Sequence, residues 1–91
     1  MDTGKAALGE GHPNYAIDLN NRAGLLEATG RPGEAEPLFR QAVEILRNAL
    51  GNDHPTTREI ATNYAIFLRN HFPDDPALAE LEAAFGPDIG R

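Results

Sequence analysis

Leu50-Gly51-Asn52-Asp53-His54-Pro55 occurs twice in this chain of 91 residues. Forty-two residues earlier stands Leu8-Gly9-Glu10-Gly11-His12-Pro13, with Leu, Gly, His and Pro in the same slots. Gly is the usual residue for a left-handed helix end, and Pro is tolerated in a first turn, where its missing N–H had no partner anyway. The hexapeptide therefore reads as a joint between two helices, and its recurrence makes the chain an internal repeat. Ala6-Ala7-Leu8-Gly9 also matches Asn48-Ala49-Leu50-Gly51, so the chain is expected to begin with the end of a helix whose body is missing.

Working outward from the joints, four helices are expected. The first opens at His12-Pro13-Asn14, capped by His12 or Asn14, and runs to about Thr29 before Gly30. Ile17, Leu19, Ala23 and Leu26 give it an apolar face. After the tight turn Arg31-Pro32-Gly33, the second helix begins near Gly33 or Glu34 and ends at Gly51. Its apolar residues Ala35, Leu38, Phe39, Ala42, Val43, Ile45, Leu46, Ala49 and Leu50 recur at three- and four-residue spacing. Pro37 falls in the first turn of a helix so placed and costs little there. Glu34 and Glu36 open this helix and Arg47 lies near its end, as the macrodipole prefers.

The third helix is expected over about 56–70, with Thr56 and Glu59 spaced as a capping box, an alternative to His54 as the cap. Ile60, Ala61, Tyr64, Ala65, Phe67 and Leu68 face inward. Phe72-Pro73-Asp74-Asp75-Pro76 breaks the chain, and an Asp caps a short fourth helix over 76–85. Gly86-Pro87 stops it. Loops this short force neighbouring helices to be antiparallel. The expectation is an all-α fold of stacked helical hairpins. Its parts are an N-terminal segment 1–11, a first repeat 12–51, a shortened second repeat 52–86 and a frayed tail 87–91.

Composition narrows the function. The formal charge is −6, with no basic stripe. Such a surface is repelled by phosphate backbones and anionic lipid, so neither nucleic acid nor a membrane surface is an expected partner. No apolar run approaches the ~20 residues of a membrane span. There is no cysteine, which removes disulfides and thiolate metal sites. With no signal peptide visible, a cytoplasmic protein is expected. A single domain of this size buries roughly 60–65% of the surface its unfolded chain exposes, a thin core.

Sliding the chain on itself by 42 gives ten identities, among them Asn21/Asn63, Ala23/Ala65, Leu26/Leu68, Ala35/Ala77 and Ala42/Ala84. Several are small residues at presumed helix crossings, where Ala lets two backbones come close. The run Leu19-Asn20-Asn21-Arg22-Ala23-Gly24-Leu25-Leu26, then Gly30-Arg31, then Glu34-Ala35-Glu36-Pro37-Leu38-Phe39-Arg40-Gln41-Ala42, closed by the Leu50 joint, resembles the 42-residue tetratricopeptide repeat of kinesin light chains. The resemblance covers nearly the whole chain, about 6–85. The second repeat departs from the pattern: Arg58 stands where Ala16 stood, Phe72-Pro73 replaces Gly30-Arg31, and Glu80 replaces Leu38. Phe85-Gly86-Pro87-Asp88 resembles Leu50-Gly51-Asn52-Asp53 seven residues too early. A polar, shortened last helix is the mark of a capping repeat.

The resemblance implies a non-catalytic scaffold in which the first helix of each repeat lines a concave groove for a peptide or partner helix. By position, the groove set is Ile17, Asn20, Asn21, Gly24, Glu27 and Ala28, with Glu59, Thr62, Asn63, Ile66, Arg69 and Asn70 from the second repeat. Asn suits this task, since its amide both donates and accepts toward any peptide backbone. Asn21 and Asn63, kept in register, lead the set. The plainer alternative is that both fill solvent-facing turns.

Other chemistries are disfavoured. His12 and His54 begin separate helices about 10 Å apart at ordinary helix spacing, too far to share a zinc ion with ligands about 2 Å away. His71 lies near Asp74 and Asp75 without a distinctive spacing. With no serine, no cysteine, no Gly-rich phosphate loop and no paired inward acids, no enzyme and no cofactor are expected. Glu36–Arg40 and Glu44–Arg47 read as helix-surface ion pairs. About three repeats are usually needed for independent stability, so the first hairpin is expected to expose an apolar edge. A structural repeat that self-associates, as a homo-oligomer or by exchanging helices, or that stacks within a longer array of such repeats, is thus the alternative to peptide binding.

Overall fold

The computed structural model describes residues 12–90. The segment 1–11, where the end of a preceding helix was expected, lies outside the described residues, as does Arg91. The described chain is all α: α1 Pro13–Ala28, α2 Pro32–Ala49, α3 Pro55–His71 and α4 Pro76–Phe85.

Every helix begins with proline, and the caps follow the joints. The His12 Nδ1 accepts from Asn14 N–H at 3.1 Å, and the His54 Nδ1 accepts from Thr56 N–H at 3.1 Å. His12 rather than Asn14 caps α1, and His54 rather than the Thr56/Glu59 box caps α3. The Asp75 carboxylate accepts from Ala77 N–H at 2.8 Å and starts α4. The helix ends are equally specific. Gly30, at φ +82°, closes α1 with Arg31 N–H donating to Leu26 O at 2.8 Å and Gly30 N–H to Glu27 O at 3.1 Å. Gly51, at φ +89°, ends α2 with its N–H on Arg47 O at 3.2 Å.

One local expectation changes. Because α2 starts at Pro32, Pro37 lies in its second turn and removes the bond to the Gly33 carbonyl. Gly33 and Pro37 are both exposed, so the missing bond falls on the outer face of the helix. The helix continues because its other face is strongly apolar, with Ala35, Phe39, Ala42, Val43 and Leu46 buried.

The helices pack in chain order, α1 on α2, α2 on α3 and α3 on α4. At the centre Phe39 of α2 lies 4.9 Å from the Phe67 ring and stacks on Tyr64 at 5.9 Å, both from α3. Ala23, Ala35, Ala42 and Ala65 are completely buried, as expected of small residues at crossings. Tyr64 donates its hydroxyl to Glu36 of α2, and burial together with that carboxylate holds its pKa well above the usual phenol range. Thr57, also completely buried, donates to the Leu46 carbonyl at 3.4 Å, tying the start of α3 to the end of α2.

Two surface expectations are corrected. Glu36–Arg40 forms, at 3.6 Å, but Arg47 makes no ion pair with Glu44 and instead donates Nε–H to Asn52 at 3.0 Å, its guanidinium lying over Phe85. Residues 87–90 do not fray: Ile89 is only 6% exposed within the core, and Arg69 donates to its carbonyl. The exposed large apolar side chains of the first hairpin are two, Ile17 at 37% and Leu25 at 66% exposure, and Leu25 stands beside exposed Asp18 and Arg22.

Candidate functional site

α1 and α3 are the first helices of successive hairpins, and they lie side by side. Asn63 of α3 donates its side-chain amide to the Asn20 carboxamide of α1 at 3.4 Å. About two turns along, His71 Nε2 meets the Glu27 carboxylate at 2.9 Å, both side chains about a third exposed. Between these two bridges the helices enclose a groove of about 210 Å³, lined by Asn20, Gly24, Glu27, Phe39, Asn63, Ile66 and Phe67.

The groove owes its shape to Gly24. A Cβ there would meet nothing within 4 Å, so the missing side chain leaves open space above the Phe39 and Phe67 rings. Ile66 extends the apolar surface, 43% exposed on the α3 side. The chemistry is an apolar floor, two amides at one end and the His71–Glu27 hydrogen bond at the other. Its volume lies below the ~300–1,000 Å³ of small-molecule sites, so it suits a side chain of a longer ligand better than a cofactor.

Of the expected set, Asn20, Gly24, Glu27, Asn63 and Ile66 converge here. Asn21 does not. It is exposed one step around α1, and Asn20 takes its place opposite Asn63. The reason is geometric: Asn21 and Asn63 are equivalent positions and face the same way, so neither can meet the other. Ile17, 37% exposed, Ala28 and Glu59 are at the surface outside the groove lining. Thr62 donates its hydroxyl to Arg58 O at 2.7 Å within its own helix, and Asn70 is exposed. Arg69 is committed elsewhere, donating to Glu82 at 2.8 Å and to the Ile89 carbonyl. The floor residues Phe39 and Phe67 and the rim residue His71 were read from the sequence as core or loop. Their helical spacing marks burial, and nothing in it marks a lining role.

No group of three or more His, Cys, Asp or Glu side chains able to hold a metal exists among the described residues. No described helix is long and apolar enough to cross a membrane.

No curated protein and no solved structure matches the chain. A family model does, that of the tetratricopeptide repeat, matching residues 1–48 and 15–85. Repeats of this family serve generally in protein–protein interaction and are typically non-catalytic. With paired helices, glycine-closed joints and a match over most of its length, the chain belongs to the tetratricopeptide-repeat family.

Proposed function

We propose that the chain is a protein-binding module that takes an extended peptide segment along the α1–α3 groove. One apolar side chain of the ligand enters the space above Gly24, against Phe39, Phe67 and Ile66. The Asn20 and Asn63 amides, together at one end of the notch, bond the peptide backbone beside it. The observation that carries this reading is the Asn20–Asn63 pair beside an open glycine notch. The amide–amide contact is long, and each amide keeps spare donors and acceptors that a peptide could use. The 42-residue spacing of the joints supports the kinesin-light-chain type of repeat.

The experiment is selection of linear peptides from a random display library on the immobilised protein, followed by affinity measurement on Asn20→Ala and Asn63→Ala. A loss of about five- to tenfold for each, about 1 kcal/mol, is expected with the fold intact. Selected peptides that bind both variants as tightly as the parent would remove the groove from consideration.

A further inference from the structure

The face of α3 that a following repeat would use is filled by the chain's own end. On α1, the residues turned toward α3 are Asn20, bonded to Asn63, and Glu27, paired with His71, with Gly24 between them. Moving forward by the repeat length of 42, the equivalent positions on α3 are Thr62, Ile66 and Arg69. Ile89 and Gly90, at the end of the segment 86–90, lie against the Ile66 and Arg69 part of that face. A Cβ on Gly90 would come within 2.8 Å of both Ala65 Cβ and Arg69 Nη1, and within 3.1 Å of the Ile66 backbone nitrogen. Ile89 is 6% exposed, and Arg69 holds its carbonyl.

The segment is built for this seat. Gly86 and Gly90 take φ of +110° and +77°, so only glycine turns the chain there without strain. In the internal joint the residues after the corresponding glycine, Gly51, lead to His54 and a new helix. Here they lead to Ile89, which drops into the core.

Among the described residues, the other half of such a repeat–repeat contact is exposed on α1 at Leu25. Leu25, 66% exposed, is the equivalent of Phe67, which on α3 packs at 4.9 Å against Phe39. The position equivalent to Phe39 on α4 is Leu81, which is 4% exposed with residues 89 and 90 in place. One chain therefore carries both a face for a following helix and a helix with the matching side chain, which is the requirement for head-to-tail stacking.

We infer that residues 86–90 are a displaceable strap over the trailing face of α3, and that the occupant it excludes is α1 of a second copy of this chain. In the stacked state Leu25 of the incoming copy lies over Leu81, and its Asn21 faces Thr62. Strap and second copy compete for one surface, so the strap sets the protein's tendency to polymerise. This is independent of what the groove binds.

The test is sedimentation velocity across a concentration range on the full chain, comparing the parent with Ile89→Ser and Gly90→Gln. Both release the strap and leave the α3 face itself unaltered. The parent is expected to be the least associated, and each released variant to show a dissociation constant for self-association lowered by about tenfold or more. Adding Leu25→Asp to either variant should reverse the gain. Far-UV circular dichroism confirms helix content, and the second variant carries the test if the first does not fold. Released variants that keep their helices and sediment as the parent does would overturn the inference. So would association that survives Leu25→Asp, since it would use another surface.

Discussion

Asn63 and Asn20 share a hydrogen bond at 3.4 Å across 43 residues of sequence, joining the first helices of the two hairpins at the mouth of the groove. Neither side chain is needed to fill the core, for both are only partly buried. Replacing Asn63 by Ala should therefore lower the thermal stability by less than about 1 kcal/mol, the ordinary worth of one such bond. Thermal unfolding followed by circular dichroism checks this. A larger loss would make the pair a structural clamp, and its place in the groove incidental.

Gly24 gives a test in which stability and binding move apart. It is exposed, within α1, and a Cβ there meets nothing within 4 Å. Gly24→Ala should stabilise the protein by about 0.5–1 kcal/mol, the helix-interior difference between the two residues. A denaturant titration with an unchanged slope would register it as a higher midpoint.

Phe39 is where the two hairpins are joined, contacting Tyr64 and Phe67 at 3% exposure. Phe39→Ala should cost about 3–5 kcal/mol, most of the stability expected of a domain this small. Loss of the cooperative unfolding transition near room temperature is the expected result.

Tyr64 gives a pH dependence. Its hydroxyl is buried and bonded to Glu36, so the folded protein holds the phenol proton more tightly than the unfolded chain does. This contribution is complete below the ordinary phenol pKa, about 10, and is lost as pH rises beyond it. Tyr64→Phe should reduce stability at neutral pH by about 1–3 kcal/mol, because the Glu36 carboxylate loses a partner. It should also flatten the fall in stability above about pH 10. Denaturant midpoints for parent and variant between neutral and alkaline pH check both signs.

The hairpin architecture was legible in the sequence because its signals are local. The His-Pro openings, the glycines at 30 and 51, and the 3.6-residue spacing of the α2 core each act within one or two turns. The site was legible only in part. Internal alignment pairs Asn21 with Asn63, yet contact between neighbouring repeats joins positions that are not equivalent, and Asn20 is the residue that meets Asn63. Arg69 was assigned to the groove by the same alignment. It is diverted because the second repeat, unlike the first, is followed by a buried strap. Nothing periodic announces that strap. Ile89 is a lone large apolar side chain in Gly86-Pro87-Asp88-Ile89-Gly90, and its carbonyl is held by Arg69 from across the chain.

The most direct test of the proposed groove is the affinity of a display-selected linear peptide for Gly24→Leu, measured by titration calorimetry beside the parent. Leucine, a residue that helices favour, would extend from an unobstructed Cβ position into the groove over Phe39 and Phe67. The account predicts a loss of affinity of about tenfold or more at an equal or higher melting temperature. Undiminished affinity in a folded Gly24→Leu protein would contradict it.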